Sequence, residues 1–341
     1  MEIRNDWLAQ VTEEIVDPER PIVDPHHHFF VETELFPHYE VADLWADASG
    51  HNVVQTVFAQ CGECYRTDGP EALKPVGETE WVEGLAQQTE KAPGKPTIGA
   101  IFGTAKLSLG EGVREVLEAH VAASPRFVGI REVAVWDASP EVQSNEELSG
   151  PDLYADPDFR TGLRVLGDMG LTYDAYHYHH QTPGFTALAR AFPDVTMVLD
   201  HLGTPPGIGP YAGKRDEIFD QWKKDLAELA TCPNVNVKLG GLAMPWNGFG
   251  YDTAERPPSS DQLVAEQGHY YRHAIECFGA NRCMFESNFP VDKLSLSYTV
   301  YWEQLATECE SVFVSFDIDA IAGSDAPVGS LEIMYAQHRR A

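Results

Sequence analysis

The chain has 341 residues, a hydrophobic fraction of 43% and a formal net charge of 24 − 53 = −29, ample apolar material for a globular core. A surface this acidic argues against nucleic acid and anionic membranes as partners, because both are bound through clusters of Lys and Arg. No apolar run approaches the roughly 20 residues of a membrane span, and the opening residues carry neither the basic nor the apolar stretch of a secretory signal, so a soluble cytoplasmic protein is expected.

Residues 1–20 are polar and acidic and read as an N-terminal arm ahead of a single domain over 21–341. Apolar, β-branched runs then recur at 21–26, 53–60, 96–103, 127–133, 171–178, 196–202, 234–240 and 282–288. Helical patterns lie between them, for example at 111–123, 158–169, 184–191, 216–230 and 262–278. Strands alternating with helices imply parallel strands joined by right-handed crossovers. Eight such units predict an α/β fold, a (β/α)8 TIM barrel. A doubly wound sheet is the rival, but it would place a Gly-rich turn after the first strand, where this chain has three histidines. The stretches 29–50, 137–157 and 241–261 are rich in Gly, Pro, Ser and Asp and are read as loops over the C-terminal face.

The first strand ends in Asp24-Pro25-His26-His27-His28. Alternation along a strand would put Asp24, His26 and His28 on one face, where two imidazoles can hold a metal or a water; a satisfied histidine cluster is the bland alternative. Cys61 and Cys64 are the one close cysteine pair of six. A zinc knuckle needs a second pair, so they are read as reduced thiols. In barrels of this kind the chemistry sits at the C-terminal strand ends. Those ends carry Arg131 on strand 4, His177, His179 and His180 after strand 5, Asp200 and His201 on strand 6, Lys238 on strand 7, and Glu286, Ser287 and Asn288 on strand 8. Each has an ordinary explanation: an ion pair for Arg131, a snorkelling chain for Lys238, a helix cap for His201. Their convergence is what packing does not explain. Arg131 suits a substrate carboxylate, since its planar fork binds bidentately.

With these residues in place the chain resembles the amidohydrolase superfamily, in its amidohydrolase-related group of TIM-barrel hydrolases, over about residues 20–305. The resemblance is carried by DPHHHFF (24–30), FVGIREVAVWD (127–137), YDAYHYHHQ (173–181), VLDHLGTPPGIGPYAG (198–213), NVNVKLGGLAMPW (235–246) and CMFESNFPVDK (283–293). It implies a lactonase or a related decarboxylase. The family's first-strand His-x-His falls on His26 and His28, its strand-6 histidine on His201, and its strand-5 histidine on His179, with His177 as the alternative. The strand-8 position, usually an Asp, is Asn288, and an amide cannot take a proton from water. Glu286, two residues earlier, is the expected replacement, with a buried ion-paired Glu as the other reading.

The expected enzyme hydrolyses a carboxylic ester, foremost a lactone. His26, His28, His201, Glu286 and Asn288 form the catalytic set; Arg131, His179, Lys238 and Trp246 contact a small-molecule substrate, anionic or neutral. A divalent metal, zinc if any, would be held by His26, His28, His179 and Glu286. A metal-dependent decarboxylase and a ligand-binding barrel without catalysis are the alternatives. Self-association into a homo-oligomer stays open. Ser315–Asp319 looks like a ureohydrolase metal motif, but that fold needs further Asp/His motifs upstream, and 311–338 is read as closing packing.

Overall fold

The computed structural model describes residues 1–31, 33, 35–144 and 150–308. Eight parallel strands lie side by side in chain order: β1 Pro21–His27, β2 Asn52–Ala59, β3 Thr97–Gly103, β4 Phe127–Val133, β5 Thr172–Tyr176, β6 Met197–Leu199, β7 Val235–Leu239 and β8 Cys283–Phe285. The seam between β8 and β1 is joined just beyond the ladder. Asn288 N–H donates to the His26 carbonyl at 3.0 Å, and His28 N–H donates to the Phe289 carbonyl at 2.7 Å. The result is a (β/α)8 barrel, as the strand count predicts. Such strands are covered on both faces, which is why they read as continuous apolar runs.

The helices are α1 Asn5–Leu8, α2 Val41–Asp47, α3 Val76–Thr89, α4 Val113–Ala123, α5 Pro157–Asp168, α6 Thr182–Ala191, α7 Arg215–Leu229, α8 Ser260–Phe278 and α9 Tyr298–Glu308. Their starts are written locally. Asp156 accepts from Phe159 N–H at 2.8 Å with Pro157 in the first turn of α5, and Ser259 caps α8 through Gln262 N–H. The stretch 29–50, read as loop, contains α2, started by a reciprocal cap between Glu40 and Asp43. The N-terminal arm holds α1, whose Trp7 indole donates to the Ala254 and Glu255 carbonyls, and Glu13 of the arm accepts from Ser260 N–H at the start of α8. The 311–338 packing and the Ser315–Asp319 motif lie outside the described residues.

One core cluster fills the space between sheet and helices; a separate one, built from Val23, Val57, Ala100, Phe102, Val128, Val198 and Met284, draws on six of the eight strands. The polar residues at the strand ends lie beyond it. No helix among the described residues is long and apolar enough to cross a membrane.

Candidate active site

Two local departures from regular strand decide which side chains meet. The pairing of β1 with β2 shifts register between Asp24 and His27, so the expected common face is broken. Asp24 accepts instead from Tyr298 O–H on α9 and from Ser287 N–H, each at 3.0 Å, while His26 and His28 bring their Nε2 atoms to 3.1 Å. Past β6 the chain enters a tight turn with His201, Leu202 and Thr204 at positive φ. Left-handed residues other than glycine cost energy and gather at functional turns. This turn carries the His201 ring to a centroid distance of 4.6 Å from His26.

Glu286 is fully buried between the two rings. Its Oε1 accepts from His201 Nδ1 at 2.7 Å and from His201 N–H at 3.2 Å, and its Oε2 lies 3.0 Å from His26 Nδ1. Two glycines make the room. A Cβ on Gly240 would stand 2.5 Å from Glu286 Cγ, and one on Gly241 would stand 2.5 Å from the His201 ring.

Beneath His26 runs a buried charge network. Lys238 Nζ lies 2.5 Å from Asp174 Oδ2, 3.0 Å from Asp200 Oδ1 and 3.1 Å from His26 Nδ1. Burial alone would discharge the ammonium, but Asp174 and Asp200 outweigh it and keep it protonated. Burial and the neighbouring Asp200 push Asp174 upward, and the Lys238 ammonium pulls it back down. Burial pushes Asp200 the same way, yet Lys238 and His26 overcome it and hold it ionised. Lys238, expected at the substrate, is thus an internal ion-pair partner with no exposed surface. Arg131 donates Nε to Asp200 at 3.0 Å and Nη1 to the Gln60 carbonyl at 2.9 Å. Burial first, then the positive Lys238, lowers His26 to about 4; burial and the neighbouring His26 and Arg131 hold His28 well below its usual value. These imidazoles are therefore neutral at pH 7, the form that accepts protons and binds metals.

Above this floor opens a cavity of about 300 Å³. His28, Gln60, Arg131, His201 and Asn288 form its polar end, and Phe30, Tyr176, Tyr178, Met244 and Trp246 are among its apolar walls. Gln143 and Ser144, from the segment after β4, line it as well. The structure thus gathers His26, His28, Arg131, His201, Lys238, Glu286, Asn288 and Trp246 in or directly under one site. It does not bring the strand-5 histidines there. His177 turns its Nδ1 to Tyr154 O–H at 2.8 Å, and His179 packs against His180 and Tyr211. Gln60, at the end of β2, went unnoticed in the sequence, although a polar residue closing an apolar run was its signal. Cys61 lines the same cavity, and neither it nor Cys64 is in a disulfide.

The residues fit a divalent ion at His26 and His28. Two nitrogens on one tetrahedral zinc stand about 3.4 Å apart, close to the 3.1 Å between the two Nε2 atoms. The other ring nitrogen of His28 meets the Ala59 carbonyl at 2.8 Å, as ligating histidines require. His26, Asp200 and His201 also bring ligand atoms within 4.8 Å of one another, but Asp200 is already engaged by Lys238 and Arg131. Glu286 meets the imidazoles through their Nδ1 atoms, the side away from any ion on Nε2, and His179 stands apart.

The sequence profile described as Amidohydrolase matches residues 23–310. A protein of Sinorhizobium fredii known as uncharacterized protein y4mH is 32% identical over 302 residues, covering 82% of this chain and 89% of that one. An L-fucono-1,5-lactonase of Burkholderia ambifaria is 28% identical over 312 residues, covering 87% and 91%. Among solved structures, an amidohydrolase from Burkholderia multivorans with bound zinc superposes with a TM-score of 0.62 at 20% identity, over 84% of this chain and 90% of that one.

Proposed function

The chain belongs to the amidohydrolase family and is an enzyme of that superfamily, and from this premise we propose that it opens the ring of a lactone by water attack. The observation that carries the reading is the His201–Glu286 pair. Glu286 takes up the Nδ1–H of His201, so Nε2 is the ring nitrogen left for the cavity that His201 lines. Burial keeps that imidazole neutral, with Arg131 and Lys238 reinforcing the effect, and the carboxylate stabilises the imidazolium once a proton arrives.

In this scheme His201 Nε2 removes a proton from water as the water oxygen bonds to the carbonyl carbon. The carbonyl π pair moves onto oxygen. When it returns, the bond to the ring oxygen breaks, and His201 Nε2–H gives its proton to that oxygen. The product is an open-chain hydroxy acid. Arg131 already gives its Nε–H and one Nη1–H to the protein, and its charge is shared with the Asp200 carboxylate. That favours a neutral ring over an acid. The cavity volume suits a monocyclic ligand, and Trp246 and Tyr176 are among the side chains that line it. A divalent ion, zinc by preference, would be held by His26 and His28 and would polarise the carbonyl or acidify a water.

A panel of 1,5- and 1,4-lactones, followed by proton release in weak buffer, tests the reading. Ring opening of at least one sugar 1,5-lactone is expected, as the name of the Burkholderia ambifaria relative suggests. Carbon dioxide release from aromatic acids with every lactone inert would replace it with a decarboxylase.

A further inference from the structure

Asn288 follows β8 with φ +53°, and its backbone N–H closes the barrel seam onto the His26 carbonyl. The residue is 1% exposed, and it shares the polar end of the cavity with His28, Arg131 and His201. Yet neither Oδ1 nor Nδ2 makes a hydrogen bond of normal geometry to the protein. The Asp292 carboxyl stands near enough for a loose contact with the amide, short of normal hydrogen-bond geometry. A buried amide without well-formed hydrogen bonds loses stability that a polar ligand or a water in the cavity recovers.

What the amide can offer follows from its chemistry. It cannot serve as a base, and that task already has His201. It does carry an N–H, the group that a carbonyl oxygen gaining negative charge requires. A carboxylate at this position would repel that oxygen.

We propose that Asn288 is the oxyanion-binding residue of this site, its Nδ2–H donating to the lactone carbonyl oxygen as charge develops there. The proposal rests on the lactone reading above. It separates proton transfer, done by His201 with Glu286, from charge stabilisation, done by Asn288 with Arg131. The carboxylate two residues before the amide acts only through the histidine.

Asn288→Gly and Asn288→Asp both tolerate the left-handed backbone, so the seam is retained. The Gly variant is expected to lose about 10²–10³-fold in kcat with KM changed by less than about threefold. The Asp variant is expected to be no more active than Gly. Binding separates this role from the reaction itself. A six-membered cyclic phosphonate, which carries a tetrahedral anion, should bind at least about tenfold more weakly to the Gly variant, while neutral δ-valerolactam should bind as before. Three results overturn the proposal: kcat and phosphonate affinity both unchanged in the Gly variant, an Asp variant at least as active as wild type, or bound zinc lost in step with activity, which would make Asn288 a ligand. If wild type opens no lactone but the phosphonate arm behaves as expected, the reaction is misassigned and the role of Asn288 stands.

Discussion

Glu286 Oε1 and His201 Nδ1 stand 2.7 Å apart across 85 residues of sequence, both side chains sealed from solvent. A carboxylate in that position fixes the tautomer and the ring plane of the imidazole and stabilises its protonated form. Glu286→Gln keeps the shape and removes the charge. It should lower kcat by about 10²–10⁴-fold with little change in KM, and the circular dichroism spectrum should stay as in wild type. Steady-state kinetics showing less than a tenfold loss would remove Glu286 from the mechanism.

The carboxylate fits only because Gly240 has no side chain. A Cβ there would meet the Glu286 carbonyl oxygen at 2.4 Å and Cγ at 2.5 Å, distances that real atoms do not adopt. Gly240→Ala must therefore move Glu286, although residue 240 does not line the cavity. The expected outcome is a folded protein, destabilised by about 1–3 kcal/mol as an overpacked site, with kcat reduced toward that of the Glu286→Gln variant. An Ala variant with wild-type kcat would show that the exact seat of the carboxylate is unimportant.

How much of this was legible beforehand follows from the physics of each residue. The eight strands were readable because barrel strands buried on both faces leave uninterrupted apolar runs, and polar groups that end such runs stand out, as Arg131, His201 and Glu286 do. Alternation failed for Asp24 because a register shift in β1 is set by pairing with β2, which no local pattern encodes. His179 was misplaced for a related reason. β5 ends at Tyr176, two residues before the end read for it, and in the turn that follows His177 pairs with Tyr154 and His179 packs against Tyr211. Lys238 was read as reaching for substrate because Asp174 and Asp200, its partners, come from other strands.

Metal binding can be checked without catalysis. His26 and His28 present two neutral Nε2 atoms 3.1 Å apart, an arrangement one zinc ion satisfies. Titration of the chelated protein should take up one equivalent of zinc. His28→Ala should weaken that uptake by at least about tenfold, the scale on which even supporting residues affect metal affinity. His179→Ala should leave it unchanged, since that ring packs against Tyr211. Calorimetry showing equal zinc affinity in wild type and His28→Ala would place the ion elsewhere.

Glu132 on β4 carries a pH signature unconnected with the site. Its carboxyl is fully buried, and neither oxygen finds a hydrogen bond of normal geometry. Burial therefore pushes its pKa up from 4.5 to about 8, against the weaker pulls of the Leu107 backbone and Lys106. The folded protein holds this proton more tightly than the unfolded chain does, so ionisation adds no cost below the unfolded value. The penalty grows as pH rises from about 4.5 to about 8 and is constant above that, on the order of 5 kcal/mol in full. Glu132→Gln has no proton to lose. In urea unfolding at pH 5 the variant and wild type should lie within about 1 kcal/mol of each other, while at pH 8.5 the variant should be the more stable by several kcal/mol. The reading depends on the difference between the two proteins, because other groups titrate in both. A gap that stays the same at the two pH values would mean that Glu132 is ionised in the folded state throughout, with its charge compensated in place.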